Sequence, residues 1–148
     1  MSHQVPVPDD FICFALYSTS HAFNQVYKPL LKILGVTYPQ YLVLAALWAC
    51  DDQTVGGLGD ILLLESNTLT PLLKRLEGLG LLVRRRDPDD ERQVRIRLTK
   101  KGAALSEKAR DFPACIDGAT GLAPDALGKL RSTILSMRAA LLKAASKG

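Results

Sequence analysis

Apolar positions recur at helical spacing along most of the chain and alternate in one short stretch. From Phe11, the residues Phe11, Phe14, Ala15, Ser18 and Ala22 share one helical face. Ile12, Leu16, Thr19, Phe23 and Val26 share the neighbouring one. The apolar arc is wider than a surface helix needs, which predicts burial against a partner. Asp9 and Asp10 offer side-chain oxygens to cap this helix. Pro29 should kink or end it, since proline lacks a backbone donor and clashes one turn back, with Leu30 to Leu34 continuing as far as Gly35. Thr37 can cap a second helix with Pro39 in its first turn, and YPQYLVLAALWAC is apolar enough to be central to the core. DDQTVGG reads as a loop. Thr54 can cap a short third helix to about Leu64, and Ser66 or Asn67 a fourth, TLTPLLKRLEGLG. Leu69, Leu72, Leu73, Leu76 and Leu79 form the inward stripe of the fourth helix, Gly78 and Gly80 end it, and Leu63 and Leu64 are expected in the core.

The period then changes. Val94, Ile96 and Leu98 alternate with Arg95, Arg97 and Thr99, the pattern of a half-buried strand. LLVRRR supplies a facing strand and DPDDE the turn chemistry between them, so the segment predicts a β-hairpin with an acidic tip and basic flanks. Helix resumes after Thr99, Phe112–Pro113 breaks it, and a last helix runs from Pro124 to about Lys143 with Leu127, Leu130, Ile134, Met137 and Leu141 in register. The predicted fold is mainly α with a small β-hairpin wing. A short helix, a turn, a second helix and a hairpin is the winged helix-turn-helix order. A helix fits the major groove, and an arginine on the hairpin fits the narrow minor groove, where the potential is most negative.

Charge placement supports this reading. Of a formal net charge of +4, residues 66–101 carry ten Lys/Arg against five Asp/Glu, or +5, which leaves −1 for the rest. A basic lobe on a near-neutral body points to a polyanion partner. Asp90 precedes Arg92 by two positions and is expected to orient it rather than to touch DNA. Three cysteines, at 13, 50 and 115, make no disulfide framework, and with only His3 and His21 added there is no metal-ligand spacing, so no cofactor is expected. No apolar run approaches a membrane span, and MSHQVPVPDD has no signal-peptide pattern; the expectation is a reduced, cytoplasmic protein. VGGLGD lacks phosphate-loop spacing and follows no strand.

SNTLTPLLKRLEGLGLLVRRRDPDDERQVRIRLTKKG, with its DER step and LTKKG exit, resembles the recognition helix and wing of the MarR family of dimeric bacterial repressors. The resemblance implies one domain over 1–148. Residues 36–102 would form the DNA-binding part, and residues 9–35 and 103–148 would be helices that knit a homodimer over a near-palindromic duplex. The apolar excess in 11–34 and 124–143 agrees with it independently. By the motif match, Thr68, Thr70, Pro71, Lys74 and Arg75 contact DNA from the recognition helix, with Ser66 at its start and Arg92 at the wing tip. Arg84, Arg85 and Arg86 either neutralise phosphates or lie solvated.

Cys13 raises a separate question, since most buried cysteines are inert. It falls in the first turn of a helix, where the dipole favours a thiolate, with Tyr17 one turn away. Tyr27 and Tyr38 stand at positions that complete a pocket, and Tyr41 is left out of it. Phenolic hydroxyls donate hydrogen bonds to a thiolate and so stabilise it. CFALYS, VYKPLLKILG and VTYPQYLVLAALW resemble the OhrR branch of the MarR family, the organic hydroperoxide sensors. That resemblance implies that Cys13 is the peroxide-reactive cysteine, that Tyr27 and Tyr38 reach it across the dimer, and that oxidation releases DNA. Some members carry a second, resolving cysteine. Cys115 lies about one turn before that place, which falls near Gly118, and a small thiol is the other candidate. Cys50 reads as core. The rival reading is a MarR-type repressor gated by a small phenolic or drug-like ligand. A thiol peroxidase is disfavoured, since no nearby Thr/Arg set polarises a peroxide and the basic module would be unexplained.

Overall fold

The computed structural model describes residues 5–148; His3 and the first four positions of the expected 1–148 domain lie outside them. The chain divides into two compact units, one ending at Arg110 and the other comprising Asp111–Gly148. The first holds helices α1 (Ile12–Leu34), α2 (Tyr38–Ala49), α3 (Val55–Leu62), α4 (Ser66–Gly78) and α5 (Lys100–Lys108), with strands β1 (Gln53–Thr54), β2 (Leu82–Arg86) and β3 (Val94–Leu98). The second holds α6 (Phe112–Ala119) and α7 (Pro124–Ser146).

The core of the first unit is leucine-rich and sits under α4. Val43, Leu44 and Leu47 of α2, Leu58 of α3, Leu69, Leu73 and Leu76 of α4, and Leu82 and Ile96 of the sheet are all essentially inaccessible. Removing any one of these leucines to Ala leaves a cavity and costs roughly 2–5 kcal/mol. α2 starts with a reciprocal cap: Thr37 Oγ1 accepts from the Gln40 N–H, and the Thr37 N–H donates to Gln40 Oε1 at 2.9 Å. Thr54 caps α3 by accepting from the Gly57 N–H at 3.0 Å. Trp48 Nε1 donates to the Gly102 carbonyl at 2.9 Å and ties α2 to α5.

Several local expectations are corrected. DDQTVGG is not all loop: Gln53–Thr54 pairs with Ile96 and Arg95, so the sheet has three antiparallel strands in the order β1-β3-β2. Asp9 and Asp10 do not cap α1. They lie in a 3-10 turn, Asp10 accepts from the Val7 N–H, and Phe11 stands at the α1 N-cap with no side-chain bond. Pro29 does not end α1, which continues to Leu34 and stops at Gly35, whose φ of 71° suits a residue without a Cβ. Glu65 rather than Ser66 or Asn67 is the N-cap of α4. Leu63 takes φ 56° in the turn after α3 and is 53% exposed, and Leu79 is exposed past the end of α4; neither is core. Phe112–Pro113 opens α6 rather than merely breaking α5, because proline is tolerated in a first turn. Cys50, at the C-cap of α2, is exposed rather than buried.

Among the described residues no single helix is long and apolar enough to cross a membrane. Large apolar side chains nevertheless lie open on the single chain: Phe11, Ile12, Phe14 and Tyr17 on the first turns of the chain's first helix, and Leu130, Leu135, Leu141 and Leu142 on α7.

Candidate DNA-reading surface and cysteine site

α4 presents a polar face because its apolar stripe turns inward. Ser66, Thr68, Pro71, Lys74 and Arg75 are exposed and Thr70 is half-buried. A cleft of about 400 Å³ between α4 and the wing brings Ser66 and Thr70 together with Arg84, Arg92 and Gln93. Gln93 was not singled out from sequence, and Thr54, which also lines the cleft, was expected only as the cap of α3. The three neighbouring arginines of β2 differ. Arg84 is held by Glu77 of α4, its Nε donating to Oε1 at 3.1 Å and its N–H to Oε2 at 3.2 Å. That pair pins the hairpin to the helix. Arg86 is exposed and donates from Nη1 to the Glu91 carbonyl at 3.3 Å, while Arg85 is exposed.

The wing tip is organised by its acids. Asp90 Oδ1 accepts from the Arg92 N–H at 3.1 Å and from Arg92 Nε at 3.2 Å, leaving the Arg92 side chain 91% exposed. Asp87 Oδ1 accepts from the Asp89 and Asp90 N–H groups at 2.8 and 3.2 Å. Its Oδ2 accepts from Arg95 Nη1 at 3.1 Å. Arg95 also donates from Nε to Asp52 Oδ1 at 2.8 Å and from Nη2 to the Asp52 carbonyl at 2.9 Å. The second Asp52 oxygen accepts from Arg97 Nη2 at 3.0 Å. These hydrogen bonds lower the Asp52 carboxyl to about 2, the Arg97 bond first and the Arg95 bond next. Asp87 is lowered too, first by the Asp89 N–H and then by Arg95. Sequence reading missed this network. Its signal was an acidic pair, Asp51–Asp52, directly after an apolar helix, facing two arginines that alternate along one strand.

Cys13 stands at the second position of α1 and is exposed; its thiol makes no side-chain hydrogen bond among the described residues. Tyr17 does not join the other tyrosines: its ring meets His21 edge-on at 4.5 Å. Tyr27 and Tyr38 do come together, with ring centroids 4.9 Å apart. Tyr41, left out of the expected pocket, is the third member, 5.8 Å from Tyr27 and 6.4 Å from Tyr38. Burial raises the phenols of Tyr38 and Tyr41, so both keep the O–H proton that makes them donors. Cys13 and Tyr27 lie fourteen positions apart on one helix. At about 1.5 Å per residue they are about 21 Å apart, so one chain cannot bring them together. Beside Tyr38 opens a cleft of about 700 Å³ whose walls include Lys28, Lys32 and Leu31. Cys115 is exposed on α6. Among the described residues no cluster of His, Cys, Asp or Glu could hold a metal ion.

Comparison with known proteins bears on the fold and the family. The family model described as transcriptional regulator SarA/Rot matches residues 25–109. An organic hydroperoxide resistance transcriptional regulator of Bacillus subtilis is 46% identical over 126 residues, 85% of this chain and 86% of that protein. The structure of reduced AbfR bound to DNA, a Staphylococcus epidermidis protein, superposes with a TM-score of 0.75 at 38% identity, covering 88% of this chain and 91% of that one. AbfR is also known in a disulfide form, 40% identical, with a TM-score of 0.62 over 85% of this chain and 88% of that one. The exposed α4 face, the arginine-tipped three-stranded wing and these likenesses together make the chain a DNA-binding transcriptional regulator of the MarR/SarA family, standing with its organic hydroperoxide regulators.

Proposed function

We propose that the chain is a homodimeric repressor that releases a near-palindromic operator when an organic hydroperoxide oxidises Cys13. The observation that carries this reading is a sensor split between two distant places. The exposed Cys13 thiol sits at one end of α1, and Tyr27 with its neighbour Tyr38 stands about 21 Å along, a distance that Cys13 of the same chain does not span. The Bacillus relative's name supports the hydroperoxide as effector. The apolar residues flanking Cys13, Ile12 and Phe14, favour a peroxide with a carbon chain over hydrogen peroxide.

The chemistry balances without a cofactor. The Cys13 thiolate attacks the outer peroxide oxygen, the O–O bond breaks, and the alkoxide takes a proton and leaves as the alcohol. Sulfur is oxidised by two electrons to the sulfenic acid, and the peroxide is reduced by two. Loss of the thiolate removes the charge that Tyr27 and Tyr38 hydrogen-bond in the reduced dimer, and the interface shifts to an arrangement that separates the two DNA-reading heads. On this reading Ser66, Thr68, Thr70, Pro71, Lys74 and Arg75 face the major groove and Arg92 the minor groove. Arg84 pins the wing to α4, and Arg86 lies along the phosphates. Cys115 or a small thiol then resolves the sulfenate.

The test is fluorescence anisotropy of the reduced protein on its own upstream DNA, with and without a slight excess of cumene hydroperoxide. Peroxide should release wild type, a thiol reductant should restore binding, and Cys13→Ser should bind without responding. The cleft beside Tyr38, with Lys28 and Lys32 on its wall, favours one rival, a repressor gated by a small anionic ligand. Release of the Cys13→Ser protein by such a ligand, with no peroxide response in wild type, establishes the rival instead.

A further inference from the structure

Arg92 is the most exposed partner in the wing's ion pairs, yet its direction is set by residues far from the tip. Its guanidinium is tied to Asp90, and Asp90 is placed by a turn whose Asp89 and Asp90 N–H groups both point at Asp87 Oδ1. The other oxygen of Asp87 is taken by Arg95. Arg95 is in turn fixed by two bonds to Asp52 in the loop between α2 and β1. An unbroken series of charge-assisted hydrogen bonds thus runs from the end of α2 to the wing tip.

Arg95 is the member that no other side chain can replace. Its Nε, Nη1 and Nη2 serve three different acceptors in two segments, a fan that needs the planar fork of a guanidinium. Its side chain is one-third exposed, and each of its three nitrogens already holds an acceptor through three of its five N–H donors, so turning it to a phosphate would break the fan. We propose that Arg95 is a positioning residue for DNA reading: it fixes the wing turn so that Arg92 meets the groove, and it does not contact DNA itself. This rests on the reading above that Arg92 enters the minor groove.

A double-mutant cycle on the full-length protein tests it, with anisotropy on the upstream duplex over a range of salt. Arg92→Ala should weaken binding. Arg95→Gln should weaken it by about tenfold, and Arg95→Lys by nearly as much, since an ammonium cannot span Asp52 and Asp87. In the Arg92→Ala background, Arg95→Gln should cost less than about twofold and leave the salt slope unchanged. A full tenfold further loss there, or a slope lower by about one, makes Arg95 an independent phosphate contact and overturns the proposal. A merely structural role gives that same additive loss, not the coupling. If Arg92→Ala binds like wild type, the groove reading itself fails and takes this proposal with it, an outcome distinct from additivity. Asp87→Asn, which keeps an acceptor for the turn N–H groups, serves if Arg95→Gln does not fold, and the same non-additivity with Arg92→Ala is expected of it.

Discussion

One carboxylate, Asp52, accepts from two arginines through its two oxygens while its own backbone sits at φ 58°. Arg85 and Arg95 stand directly opposite across β2 and β3, with Arg97 two positions along the same face. Like charges so placed repel, and Asp52 offsets them. Its carboxyl titrates at about 2, below its usual 3.8. A folded value below the unfolded one means that the stabilisation is complete above pH 3.8. It is lost as pH falls towards 2. Thermal melting of wild type and Asp52→Asn from pH 7 to pH 2 should therefore show wild type the more stable down to about pH 4, with the gap closing below it. A gap that persists at pH 2 shows that the amide variant fails for backbone reasons, not for lack of charge.

Gly102 shows how elements meet at close range. It lies in the first turn of α5, capped by Thr99, and a Cβ there would collide with the Leu81 carbonyl oxygen, a backbone atom that cannot swing away. Helix propensity favours Ala by about 1 kcal/mol, but forcing a methyl against backbone costs about 1–3 kcal/mol or more, so the clash wins. Gly102→Ala should lower Tm by several degrees. Gly118→Ala, where nothing lies within 4 Å, should raise it slightly. An unchanged melt for Gly102→Ala means that α5 docks elsewhere. The glycine of LTKKG was visible in the sequence as a motif, but its reason was not, because the collision is with a residue twenty-one positions earlier. The same division runs through the fold. α4 and the β2–β3 hairpin were legible because each keeps one period over five residues or more, and α2 because it is apolar all round and carries its cap, Thr37. β1 was not, since two residues carry no period and are strand only because β3 lies beside them. Leu63 was misplaced because an apolar residue in a left-handed turn looks, in sequence, like any core leucine. Tyr27 and Tyr38 were legible as a pair. Tyr41 joins them only because α2 turns it onto the same side, and Tyr17 is drawn off by His21 one turn along α1.

At the scale of the whole molecule, two needs remain that one chain does not meet. Cys13 and Tyr27 lie about 21 Å apart on α1, and most of its open apolar side chains lie on two helices, Phe11 to Tyr17 among those at the start of α1 and Leu130 to Leu142 on α7. On the proposed function, a second copy answers both. A stable pair buries about 1,200–2,000 Å² in total, and large aliphatic and aromatic side chains such as these supply that area efficiently. In such a pair two wings would face successive turns of one duplex, and each half-site would raise the local concentration of the other head. Sedimentation should accordingly give twice the 16.1 kDa chain mass for the reduced protein. Leu130→Glu with Leu141→Glu, eleven positions apart and so on one face of α7, should shift the mass towards that of a single chain. Operator binding should fall more than about tenfold, because each head then binds its half-site alone. The same variant should lose its peroxide response even with Cys13 intact, since on the proposed function the phenols that meet the thiolate belong to the other subunit. A single-chain mass for wild type, or a peroxide response that survives in the separated chains, removes the split sensor and leaves Cys13 to act without Tyr27 and Tyr38.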